Sequence, residues 1–190
     1  MNKNSIHTLI YCLFFLSGLA MSQVSANTGK AVPNDHATLT KTSAGSVLFV
    51  KKGSTGTGSS WQDAIGEVGD ALRIAREDAT IRQIWVAKGT YYPTEQWEMR
   101  NDGGVYPVTG QPRTACFSIS NIQVDMNSIP AASLYGGFDG TESTVEERNI
   151  SENPTILSGE LGVDKSTWSL HVVIGQYLYN ETVLDGFIIE

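Results

Sequence analysis

The sequence predicts an all-β repeat fold, a solenoid of short strands, and three observations carry that reading. Short apolar runs recur around Leu134-Tyr135, around Ile156-Leu157, at His171–Gly175 and at Val183–Ile189, each with a glycine turn beside it. Leu134 and Ile156 are 22 positions apart, and Ile156 and Leu184 are 28 apart; strands returning at such spacings are the signature of a solenoid. Nineteen glycines against six prolines, with 41% apolar and 17% charged residues, describe a turn-rich chain that folds.

Residues 1–26 read as a secretory signal. Lys3 supplies the positive start, Leu9–Met21 is a 13-residue apolar run, and Val24-Ser25-Ala26 offers small residues for cleavage before Asn27. Thirteen residues fall short of the roughly 20 that span a bilayer as a helix, and no second hydrophobic segment follows, so no transmembrane segment is expected in the mature chain. Bulky Tyr11 before Cys12 speaks against a lipoprotein cleavage site. Cys116 is then the only cysteine of the mature chain, and Ala115-Cys116-Phe117 reads as a buried, inert strand position. Net charge is −7, or −8 (20 acids against 12 bases) without residues 1–26. That balance argues against nucleic acid as a partner, because phosphates need a basic surface, and it suits an exported protein kept in solution by its charge.

Residues 27–46 are polar and read as a flexible lead-in. Val47–Val50 is the first strand. The glycine-rich loop Gly53–Ser60 lacks the Gly-Lys-Ser/Thr of a phosphate cradle and reads as a turn. Ser60 with Asp63 resembles a helix-capping pair. Trp61, Ile65, Val68, Leu72 and Ala75 follow in steps of 4, 3, 4 and 3, so a helix is predicted over about 61–78. Its stripe needs a surface to dock on, since Gly66 and Gly69 each cost roughly 1 kcal/mol of helix propensity, and the predicted strand Ile81–Ala87 supplies one. Thr90–Tyr92 follows a turn at Lys88-Gly89. Residues 94–114 are a polar loop insertion broken by Pro107 and Pro112. Strands resume at Ala115–Ser120 and continue through Ser133, Thr155, His171 and Thr182.

Six segments occur in order: G-S-S-W-Q-D-A (58–64), I-W-V-A-K-G-T-Y-Y-P-T (84–94), R-T-A-C-F-S-I (113–119), L-Y-G-G-F-D-G-T-E (134–142), N-P-T-I-L-S-G-E-L-G (153–162) and V-L-D-G-F-I-I (183–189). Together they resemble the N-terminal part of bacterial secreted right-handed parallel β-helix proteins of the pectin-lyase-like superfamily, over about Val47 to Glu190. The resemblance implies an all-β, right-handed parallel β-helix in which the helix over 61–78 caps the N-terminal end. No equivalent cap is visible after Phe187–Glu190, and we read the chain as truncated at its C-terminus. The polymorphic outer-membrane proteins that share the β-helix carry repeated G-G-A-I and F-x-x-N motifs, which this sequence lacks.

Fold leaves function open, so the chemistry has to be argued from residues. The resemblance includes lyases that use calcium-binding acid clusters and a basic residue. Here the acids on the repeating part are Asp139, Glu160, Asp164 and Asp185, each beside a glycine or in a linker, where Asp is favoured for backbone reasons. Glu146-Glu147 beside Arg148 reads as a solvated charge cluster. His36 lies in the lead-in and His171 opens an apolar run. No catalytic residue, metal ligand or cofactor is assigned. Trp97 and Tyr106, aromatic within polar surroundings, are the candidate glycan contact; the competing reading, which we favour, is that they fold the insertion back onto the scaffold. The expected function is a non-enzymatic adhesion or glycan-contact scaffold, secreted or at the cell surface, with a polysaccharide or surface glycan as partner. The alternatives are a polysaccharide lyase or hydrolase whose active-site coils lie beyond Glu190, and a passive scaffold for further domains.

Overall fold

The computed structural model describes residues 46–102, 104–120, 131–162, 167–176, 178 and 181–190. The secretory signal, all but the last residue of the lead-in, His36 and Asp164 lie outside the described residues. In chain order the elements are β1 (Ser46–Val50), α1 (Val68–Glu77), β2 (Ile81–Ala87), β3 (Gly89–Tyr91), β4 (Trp97–Met99), β5 (Val105–Pro107) and β6 (Phe117–Ser120). Then come β7 (Ser133–Phe138), β8 (Thr155–Leu157), β9 (Glu160–Leu161), β10 (Thr167–Trp168), β11 (Val173–Gln176), β12 (Leu184–Asp185) and β13 (Phe187–Ile189). Strands dominate, with one α-helix among the described residues, and the chain is broadly all-β.

Three parallel sheets form the frame: β1-β2-β7-β12, β3-β8-β13 and β6-β11. From β2 onward the chain visits them in a fixed order. It goes from β2 to β3 to β6, returns to the first sheet at β7, passes through β8 to β11, and returns again at β12 and β13. In the first sheet Ile84 pairs with Leu134 and Leu134 with Leu184, so the repeat from β2 through β7 to β12 is 50 residues; the step from β1 to β2 is 36, with Leu48 in register with Ile84. The expected 22- and 28-residue spacings are corrected by this register. Leu134 and Ile156 belong to different sheets, and the two spacings are successive parts of one 50-residue step.

The sequence of β2 explains why the first sheet is apolar on both faces. Ile84 and Val86 point one way, into the main core with Leu48, Val50, Tyr91, Phe117, Leu134 and Leu157. Trp85 and Ala87 point the other way, into a second cluster with Trp61 and Phe138. There Trp85 stacks on Phe138 at 4.9 Å, and Phe49 meets Trp61 edge-on at 4.9 Å. The last apolar run is two strands rather than one, broken at Gly186 with φ +80°. A Cβ on Gly186 would sit 2.5 Å from the Gly136 carbonyl oxygen, so two successive passes of the chain touch through glycine backbone.

The helix starts seven residues later than the expected 61–78, and the stripe from Trp61 to Ala75 is split between two structures. Ser60 Oγ does accept the Asp63 N–H, at 3.2 Å, but this closes a turn and no helix follows it. Residues 64–65 instead run along the open edge of β1: Ile65 N–H donates to the Phe49 carbonyl at 2.9 Å, and Lys51 N–H donates to the Ile65 carbonyl at 2.8 Å. Gly66 lets this segment pass against the Ser54 carbonyl, where a Cβ has no room. Trp61 turns to the outer aromatic cluster, while Val68, Ala71 and Leu72 of α1 enter the main core. The outer edge of β1 is thereby hydrogen-bonded along Phe49–Lys51, which blunts an otherwise adhesive strand edge. α1 docks on β6, β2 and β1, not on β2 alone.

Candidate functional site

The expected insertion over 94–114 contains the antiparallel hairpin β4–β5, with Trp97 opposite Pro107 and Glu98 opposite Tyr106. Directly paired residues share a face and neighbours along a strand alternate, so Trp97 and Tyr106 lie on opposite faces. They do not form a single flat platform. Trp97 is 8% exposed and packs with Val105, Cys116 and Ile174. Its ring lies under the Arg76 guanidinium, 4.7 Å from the centroid. Arg76 is itself buried at the end of α1, donates to the Ser118 carbonyl at 3.2 Å and forms an ion pair with Glu95. Trp97 therefore holds the hairpin down. Its indole nitrogen has no partner among the described residues. Tyr106 is 37% exposed, donates to Asp102 Oδ2 at 3.0 Å and lies under Arg100 at 4.5 Å.

Cys116, beneath the same hairpin, is buried, and burial pushes its thiol up to about 11. A thiol in that state is a weak nucleophile.

A different groove, of about 380 Å³, opens beyond the ends of β3 and β8 and is lined by Tyr92, Pro93, Glu160, Leu161 and Gly162. The pairing of β3 with β8 puts these two stretches side by side, because Tyr91 is in register with Leu157. Trp168 pairs directly with Glu160 across the β9–β10 ladder, so its ring shares a face with that carboxylate. Tyr92 is 39% exposed and Trp168 47% exposed. Lys52 Nζ lies 5.7 Å from the Tyr92 ring centroid and forms an ion pair with Glu67 at 2.7 Å. The groove is thus lined by one accessible ring, Tyr92, and by Glu160, with the exposed Trp168 across the β9–β10 ladder from Glu160. Sequence reasoning passed over it because Tyr92 and Trp168 are 76 positions apart, and only the register of β3 on β8 joins their neighbourhoods.

The remaining acids have structural partners. Asp139 forms an ion pair with Lys88, and that hydrogen-bonded partner holds its carboxyl below the usual range. Asp185 pairs with Arg148 at 2.8 Å; Arg148 also donates to the Gly136 carbonyl at 3.1 Å and lies over the Tyr135 ring. Glu142 folds back onto the main-chain N–H groups of Asp139, Gly140 and Thr141, at 2.7 to 2.9 Å. Burial raises its carboxyl, but these donors outweigh burial and leave it below the usual range. The G-G-F-D-G-T-E segment is thus a self-satisfied loop. Among the described residues no group of three His, Cys, Asp or Glu side chains is placed to hold a metal ion. Glu146 and Glu147 are exposed, and His171 is exposed just before β11.

Comparison with protein-family models, curated proteins and solved structures returns no match for this chain. Among the described residues no helix is long and apolar enough to cross a membrane.

Proposed function

We propose that this chain is exported and forms a right-handed parallel β-helix of pectin-lyase-like type. It serves as a non-enzymatic adhesion or glycan-contact scaffold, secreted or at the cell surface. The observation that carries this reading is the fixed order in which the chain traverses three parallel sheets, with Ile84, Leu134 and Leu184 stacked at equal spacing. Repeated traversal stacks parallel strands into a ladder, and successive rungs of a ladder suit contact with an extended polymer. The covered edge of β1 and the docked α1 support the N-terminal cap that this architecture needs. Export rests on the pattern of residues 1–26, and the acidic net charge of −7 supports a partner other than nucleic acid.

Glycan contact is assigned to the Tyr92–Glu160 groove with Trp168 beside it. The C–H face of a pyranose is apolar and is removed from water when it lies on an aromatic ring. A neighbouring carboxylate accepts hydrogen bonds from the sugar's outer hydroxyls. The test is retention on a panel of immobilised polysaccharides, with the supernatant assayed for released sugar. The reading expects retention without product, weakened about tenfold in Tyr92→Ala/Trp168→Ala, which corresponds to about 1.4 kcal/mol. It expects no change in Tyr106→Ala, since Tyr106 does not line the groove. Unchanged retention in the double variant removes the groove from the account. Release of unsaturated or hydrolysed sugar by the chain favours the enzyme reading.

A further inference from the structure

The connection from β7 to β8 contains Asn149-Ile150-Ser151, an Asn-x-Ser triplet whose middle residue is not proline. We infer that Asn149 is an acceptor for N-linked glycosylation, an inference that rests on the export reading above. Such a triplet requires an accessible asparagine, an accessible hydroxyl two residues on, and a surface position that tolerates a bulky polar addition. All three conditions are met here.

Asn149 and Ser151 are both exposed. The Ser151 hydroxyl donates to Asn149 Oδ1 at 2.8 Å, and the Glu152 N–H donates to the same oxygen at 3.2 Å. The amide oxygen is thereby committed to the turn, and Nδ2, the atom that is modified, has no partner among the described residues. The backbone beneath is fixed: Asn149 N–H donates to the Gly137 carbonyl at 3.1 Å, and the Asn153 N–H donates to the Asn149 carbonyl at 2.9 Å. Ile150 packs over Gly137, where an added Cβ would meet it at 2.7 Å. A sugar on Nδ2 therefore leaves the hydrogen bonds that hold the turn in place, because they use Oδ1 and the main chain.

Neighbouring asparagines provide the contrast. Asn153 is buried and followed by Pro154, which disqualifies Asn153-Pro154-Thr155. Asn180-Glu181-Thr182 also fits the triplet, and Asn180 lies outside the described residues.

The modification needs an oligosaccharide activated on a polyprenyl diphosphate and a membrane transferase. Asn149 Nδ2 attacks the anomeric carbon, forming a C–N bond. The bond from that carbon to the diphosphate oxygen breaks with its electron pair leaving on the diphosphate. Nδ2 gives up one proton to a base of the transferase, so a primary amide becomes a glycosylated secondary amide.

The experiment is peptide mapping by mass spectrometry on full-length protein produced in its native source, reading the Asn149 peptide and the N-terminus together. The expected result is a chain beginning at Asn27 whose Asn149 peptide carries hexose or N-acetylhexosamine increments. These are lost in Ser151→Ala and kept in Ser151→Thr, with both variants secreted at wild-type level. An unmodified Asn149 peptide in chains that begin at Asn27 overturns the inference and leaves export standing. An unmodified peptide in chains that still begin at Met1 overturns both. Sugar found on the Asn180 peptide alone also overturns the assignment to Asn149.

Discussion

Replacing Leu134 with alanine is expected to lower the stability of the fold by about 3 kcal/mol. Leu134 is fully buried in β7, the strand that pairs with β2 on one side and β12 on the other, in register with Ile84 and Leu184. Truncation forfeits the transfer energy of three methyl or methylene-sized groups, roughly 0.8 kcal/mol each. It also leaves a cavity that flanking strands, fixed by their ladders, cannot close. Urea titration followed by circular dichroism reads the change as a lower midpoint at unchanged slope. Leu184→Ala, on the half-open outer strand, is expected to cost less than half as much, because Leu184 is exposed. Equal losses at the two positions would mean that the 84–134–184 column is not the core ladder described here.

Arg76→Ala is expected to cost about 2–3 kcal/mol and to loosen the β4–β5 hairpin selectively. The guanidinium is buried and serves three groups at once: the Glu95 carboxylate, the Ser118 carbonyl and the Trp97 ring. Breaking a buried ion pair from one side typically costs 3–5 kcal/mol. The lower figure applies because Glu95 keeps partial access to water and is rehydrated when its partner goes. Loss of the cation over Trp97 adds a fraction of a kcal/mol. Trp97 emission should shift to the red and its quenching by acrylamide rise, while Trp85, in the outer cluster, stays protected. Glu95→Gln, which keeps the shape and a hydrogen-bond acceptor, is expected to cost about 1 kcal/mol. No change in Trp97 accessibility on Arg76→Ala would refute the anchoring role.

Sheet class and the principal strands were legible because buried strands write themselves as short apolar runs. β2 was read with its observed bounds, since both faces of I-R-Q-I-W-V-A are covered and nothing polar interrupts its second half. The helix start was misread for a physical reason. Trp61, Ile65 and Val68 are all buried, but from three different backbones: Trp61, in a turn, joins the outer aromatic cluster, while Ile65, bridged to β1, and Val68, in α1, both enter the main core. Periodicity records burial without recording what covers it. The repeat length was hidden by unequal connections. β3 to β8 is a step of 66 residues and β8 to β13 a step of 32, although β2, β7 and β12 of the first sheet step by 50. The hairpins β4–β5 and β9–β10 were invisible because their strands are two or three residues long, too short to show an alternating pattern. For the same reason the opposed faces of Trp97 and Tyr106, and the groove that unites Tyr92 with Glu160, required the register of pairing and not merely the residue types.

The central claim is the 50-residue parallel stacking of the first sheet, and nuclear Overhauser contacts in isotopically labelled protein test it most directly. The account predicts main-chain contacts linking Ile84 to Leu134 and Leu134 to Leu184, in the staggered pattern of parallel strands. It predicts matching contacts between Phe117 and Val173 in the third sheet. Antiparallel contacts pairing the Leu134 run with the Ile156 run, as in a hairpin of neighbouring strands, would contradict it.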